Sequence, residues 1–399
     1  MTNARQFILA AFLSLVTSLI YAQAVPPAVV SEPPTVPAYV PNPTASPAAA
    51  PDSSAAPKAN RNEDGAEATS SQAHERHDKA DSDKGGDNDK PLKADQVQHP
   101  VLWADPGNIA NRDLFYGQGG KQHQPKPPFI FLGEDMSGTN PKFDARDADG
   151  KKWRVKLGEE ARPEVVASRL LWAVGYFAND DYLLPEANIQ GLKMHRKSAS
   201  AKGDLITYAR FARKPGGQGK IGIWQWKDNP FMGSREFNGL RVMMAVMNNW
   251  DLKDVNNSVY QDDKSNRQIF LANDVGATFG TNGLSWTRAR SKGNIDSFKG
   301  SKFITRMTDT EVDFATPAPP KAYLAKTGGF GVVPYAKRAG MDWLGKNISR
   351  EDARWIASLL AQLTHQQLMD AFRAGGFPPD EIDMYVTLVE NRIAELKAL

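Results

Sequence analysis

Hydrophobic and polar positions fall into three regimes along the chain. From Phe7 to Tyr21 nearly every position is apolar; from Val25 to about Gln98 there is almost no aromatic residue; beyond residue 100 the pattern becomes periodic. Phe129 to Gly133, Lys142 to Asp147 and Lys151 to Leu157 are short runs bounded by Gly, Asn and Asp, which predicts three strands with Asp149-Gly150 as a tight hairpin turn. Tyr182 to Ile189 and Leu205 to Phe211 predict two more strands, joined by a basic, Ser-rich loop from Lys193 to Lys202. The second of these ends at a connection rich in glycine (Gly216, Gly217, Gly219), a candidate hinge.

Helical spacing takes over elsewhere. Pro163 and Glu164 open a helix whose stripe is Val165, Val166, Leu170, Ala173 and Val174, ending near Gly175. Ser234 caps a helix from about Arg235 to Met247 that is apolar on most sides, as expected of one buried among other helices. Toward the end, Ser349 and Asp352 start a helix through Leu363, Thr364 and Gln367 form a capping box, and Pro378-Pro379 open a last helix from Asp380 to Leu396. The fold class is α+β: a small antiparallel sheet followed by a mainly helical region.

Composition divides the 399 residues further. The apolar run ends at Ala22-Gln23-Ala24, so residues 1–24 read as a signal peptide and the protein as exported, periplasmic or extracellular. The run falls below the roughly 20 residues a spanning helix needs, so no transmembrane segment is expected in the mature chain. Residues 25–98, rich in Pro, Ala and Ser and then in charged residues, read as a disordered linker, because such a segment buries too little apolar surface to offset its ordering entropy. Residues 99–213 then form the sheet region and 214–399 the helical one. The absence of cysteine excludes disulfides and thiolate zinc sites. A net charge of +3 does not demand a nucleic-acid partner.

The chemistry is concentrated in Asp251-Leu252-Lys253-Asp254-Val255-Asn256 and in Asp274-Val275-Gly276, which follows the apolar run Phe270-Leu271-Ala272. Phosphoryl transfer needs in-line positioning, a divalent metal on the phosphates and a carboxylate for the attacking hydroxyl. Asp251 suits the base, Lys253 the neutralising cation, and Asn256 and Asp274 the metal ligands. The plain alternative is an Asx-rich turn after a helix, its side chains bonded to their own backbone. Upstream, Ser137-Gly138-Thr139 is either a phosphate-facing loop or an ordinary hairpin loop. Lys156 faces either a cleft or solvent at a sheet edge. Glu164 is either a helix N-terminal charge or the ion-pair partner of Lys156.

In that order these elements resemble the protein-kinase-like superfamily. Asp251 to Asn256 is similar to its catalytic loop and Asp274-Val275-Gly276 to its Asp-Phe-Gly motif; the spacing between them, with Asn257-Ser258 after Asn256, is more similar to the atypical HipA-like and phosphatidylinositol-kinase-like branches. The chain departs from the superfamily in lacking the usual Gly-rich loop, a His-Arg before Asp251 and an Ala-Pro-Glu downstream. The resemblance implies a two-lobed fold with ATP in the cleft, Lys156 on its α and β phosphates, Glu164 paired with Lys156, and Mg or Mn as metal. The expected function is transfer of a phosphoryl group from ATP to an unknown acceptor (a protein, lipid headgroup or small molecule). The alternative is an exported pseudokinase serving as a binding module.

Overall fold

The computed structural model describes residues 88–138, 140–213, 218–262, 264–280, 292–317 and 340–399. The proposed leader, most of the linker, Thr139, and the glycines Gly216 and Gly217 of the candidate hinge lie outside the described residues. Gly219 lies inside a strand.

In chain order the strands are β1 (Pro100–Val101), β2 (Phe129–Asp135), β3 (Lys142–Arg146), β4 (Lys152–Lys156), β5 (Asp180–Gln190), β6 (Ala201–Lys202), β7 (Leu205–Arg213), β8 (Gln218–Gly222), β9 (Asn257–Asp262), β10 (Gln268–Ala272), β11 (Ile304–Met307), β12 (Glu311–Phe314) and β13 (Ile348–Ser349). The α-helices are α1 (Ala161–Ala173), α2 (Arg235–Val246), α3 (Ile295–Lys299), α4 (Arg350–Leu360), α5 (His365–Ala374) and α6 (Pro379–Lys397). The fold is a mixture of helices and several sheets.

The largest sheet runs β4-β3-β2-β5-β7-β6, and β7 pairs with β4 as well, so the sheet closes on itself. Its hairpin between β3 and β4 turns at Gly150, whose φ of 73° is the left-handed region glycine tolerates. The sequence predicts an antiparallel sheet; the structure departs from this at one pairing, where Phe129 and Ile130 run parallel to Ile189 and Gln190. Phe129 on β2 belongs to the sheet's core, with Phe143, Trp153, Val155, Tyr182, Ile189 and Phe211.

A second apolar core gathers α2, α4, α5 and α6, with Phe237, Leu240, Met243, Ile356, Phe372 and Tyr385 among its members. Val166, Leu170 and Leu171 of α1 point into this core, so the helix that follows β4 is anchored on the helical side. Three predicted caps are formed: Ser234, Ser349 and Thr364 each accept a bond from a first-turn amide, and Gln367 completes the box.

The region from residue 214 carries more strand than its sequence suggests: β8, β9 and β10, which β1 joins in a four-stranded sheet β1-β10-β9-β8, and a small sheet β11-β12-β13. Residues before the expected linker boundary at 98 also pack on the fold. Leu92 donates its amide to Ile223 and, with Val97, packs its apolar side chain on the helical core. β1 pairs with β10 rather than with the large sheet. Among the described residues no helix is long and apolar enough to cross a membrane.

Candidate functional site

Strand alternation aims Lys156. On β4, Trp153 and Val155 are buried in the sheet core, which turns Arg154 and Lys156 to the opposite face. The register sets Lys156 between Lys142 on β3 and Arg210 on β7, a row of three cations across neighbouring strands. Like charges directly opposite one another are unfavourable in a sheet. Carboxylates offset them here.

The Lys156 ammonium lies 2.9 Å from Glu160 Oε2, 2.9 Å from Glu164 Oε2 and 3.0 Å from Asp274 Oδ1. A lysine has three N–H donors, and each meets a carboxylate. Burial works against the charge of Lys156, yet Asp274 and Glu164 raise its pKa above the ordinary lysine value. Burial likewise works against the Asp274 carboxylate, but Lys156, with Arg210 and Lys253 behind it, holds that carboxyl down to about 2. Glu164, in the first turn of α1, is fully buried and gives its other oxygen, Oε1, to Arg210, which also lies 3.6 Å from Asp181.

Helix α2 delivers the second half of the site. The chain leaves it through Asn248 in a left-handed conformation, with φ of 56°. Asn249 Oδ1 then accepts the amide of Asp251 at 2.9 Å, an Asx turn of the kind the plain reading foresees. Asn256 Nδ2 donates to the Asp251 carbonyl at 2.6 Å, a bond of the same local kind. Two contacts go beyond the plain reading: Asp251 and Lys253 pair at 3.1 Å, and Asp254 accepts the distant amide of Trp226. The carbonyl of Asn256 accepts the amides of Asn273 (2.8 Å) and Asp274 (3.0 Å), which locks the two motifs together. Asp251, Lys253, Asn256 and Asp274 line one small recess.

Gly276 has a packing reason to be glycine. A Cβ there would sit 2.8 Å from Glu160 Cβ and 3.1 Å from Glu164 Oε2, so the chain after Asp274 lies directly against the two carboxylates that hold Lys156. Downstream, Lys292 pairs with Glu160.

Of the residues the sequence singles out, Lys156, Glu164 and Asp274 meet at one ammonium, and Asp251, Lys253 and Asn256 join Asp274 in the recess. In the loop of Ser137 and Gly138 the Ser137 amide donates to Asp135 Oδ1 at 2.8 Å, and Arg196 binds the carbonyls of both residues. The Ser137 amide is thus engaged within the turn, as the hairpin-loop reading expects. Thr139 lies outside the described residues.

Sequence reasoning missed Glu160, Arg210 and Lys292. Glu160 carried a signal, since it stands four residues after Lys156. Arg210 carried none, because its place depends on β7 closing onto β4.

The donors suit a hard divalent cation. Asp274, with 44% of its side chain exposed, and Asn256 offer oxygens in the recess, the ligand type Mg and Mn prefer. Glu160, Glu164 and Asp274 also bring carboxylate oxygens within 4.8 Å of one another, but there the Lys156 ammonium already serves as the cation.

No family model and no curated protein matches the chain. A solved structure, the crystal structure of a Helicobacter pylori proinflammatory kinase, CtkA, is similar at a TM-score of 0.34 and 9% sequence identity, covering 68% of this chain and 98% of that one. The chemistry rests on the side chains above.

Proposed function

We propose that this chain is a kinase-like phosphotransferase of the atypical, HipA-like or phosphatidylinositol-kinase-like kind, two-lobed, binding ATP with Mg or Mn and passing a phosphoryl group to an acceptor hydroxyl. One observation carries the reading: the Lys156 ammonium joins Glu164 and Asp274, while Asp274 shares its recess with Asp251, Lys253 and Asn256. A cation held between a helix carboxylate and a half-exposed aspartate, beside a second carboxylate, is the equipment that phosphoryl transfer requires.

In this reading Lys156 binds phosphate oxygens, exchanging a carboxylate contact for them. Glu164 keeps the ammonium in place, while Asp274 and Asn256 hold the divalent ion, which supplies charge neutralisation on the phosphates when bound. Asp251 orients the acceptor hydroxyl and takes its proton, and Lys253, 3.1 Å away, faces the charge on the transferred group. The apolar lead from Phe7 to Tyr21 supports placing this activity outside the cytoplasm.

Thermal unfolding tests the reading. At a hundredfold excess over its dissociation constant a ligand stabilises the folded state by about 2.7 kcal/mol. A rise in Tm with ATP and Mn, absent with either alone, supports the phosphotransferase. No shift with any nucleotide and metal supports a binding module instead.

A further inference from the structure

The Lys156–Glu164 pair has a third member. Arg210 is buried, stands across the strand pair from Lys156, and binds the Glu164 oxygen that Lys156 does not use. We propose that Arg210 is a positioning residue for nucleotide phosphates: by fixing Glu164 from behind and facing Asp181, it holds the glutamate where it presents a single oxygen to Lys156. The inference rests on the phosphotransferase reading and extends it to a residue with no place in the motifs.

The geometry and charge balance support this. Among the described contacts, Glu160, Glu164, Asp181 and Asp274 form ion pairs with Lys156, Arg210 and Lys292, so the carboxylates outnumber the cations by one even with Arg210 present. Without Arg210 the excess grows, and Glu164 is left with one buried oxygen lacking a cation. Such a carboxylate draws Lys156 toward itself, since a buried charge deprived of one partner leans on the next. Lys156 then has less freedom to exchange a carboxylate for a phosphate. A single guanidinium nitrogen, Nη1 of Arg210, faces Glu164 Oε1 and Asp181 Oδ1 from one strand position.

The test compares affinities for Mn-ATP and for adenosine by titration calorimetry, in the unaltered chain, Arg210→Met and Arg210→Lys, with Tm recorded for each. In Arg210→Met, ATP affinity should fall by about tenfold or more, as for loss of one partner of a buried charge pair, while adenosine affinity is retained. Arg210→Lys should recover part of the loss. An unchanged ratio of the two affinities would overturn the inference, and so would an equal fall in both, which is the mark of a merely structural arginine. Should Arg210→Met fail to fold, the ratio in Arg210→Lys decides on the same terms. Failure of the unaltered chain to bind Mn-ATP at all would overturn the phosphotransferase reading itself, and this inference with it.

Discussion

Lys156 Nζ lies 3.0 Å from Asp274 Oδ1, across 118 positions of sequence. This contact joins the end of β4 to the loop after β10, and therefore the large sheet to the segment that carries the acidic motif. Helix α1 supplies the third point through Glu164. Because the ammonium is almost fully enclosed, any anion that approaches it must displace a carboxylate.

The Asp251 carboxylate separates binding from chemistry. Asp251→Ala removes the group that orients and deprotonates the acceptor but leaves Lys156, Asn256 and Asp274 in place. Release or transfer of the γ-phosphoryl of labelled ATP should fall by about a hundredfold to ten-thousandfold, with Mn-ATP affinity retained. Equal rates in the two proteins would remove Asp251 from its role.

Gly276 tests the close approach of the acidic motif to the helix. In Gly276→Ala the added Cβ lies 2.8 Å from Glu160 Cβ, closer than such atoms pack, so the chain after Asp274 or the start of α1 has to move. Overpacking of this kind costs about 1–3 kcal/mol, readable by urea unfolding, and nucleotide affinity should drop with it because both elements touch Lys156. A variant as stable as the parent would show that the segment does not rest on Glu160.

Acid should loosen a clamp outside the site. Burial works to raise the Glu134 carboxyl, but amide and side-chain donors of His195 and Arg196 more than offset it and hold it below the ordinary glutamate value. A depressed carboxyl adds stability above its unfolded pKa, about 4.3, and loses that contribution as pH falls through the folded value. Glu134→Gln should therefore melt below the unaltered protein at pH 7, with the gap closing in melts run below about pH 4. A gap that widened on acidification would contradict the clamp.

Local order is legible in the sequence wherever one segment decides it. Alternation from Trp153 to Leu157 is enough to separate core from polar face, Asp149-Gly150 is enough for the turn, and Ser234, Thr364 and Gln367 announce their helices. Long-range closure leaves no such trace. Arg210 sits in a strand rich in apolar residues, and only the pairing of β7 with both β4 and β5 brings it to Glu164. The small sheet β11-β12-β13 is illegible for another reason: Ile304-Thr305-Arg306-Met307 is too short and too polar to stand apart from loop. The Ser137 turn is ambiguous in sequence because a Ser-Gly pair suits both an anion loop and an Asx turn; Asp135, two residues back, takes the Ser137 amide.

In the proposed site Asp274 is the residue that joins Lys156 to the metal. The most direct measurement is calorimetric titration of Mn-ATP into the unaltered chain and into Asp274→Ala, with ATP in excess chelator as control. Metal-dependent binding is expected for the unaltered chain and its loss for Asp274→Ala, while that variant still folds. Binding of equal strength to both proteins, or binding indifferent to the metal, would contradict the proposed site.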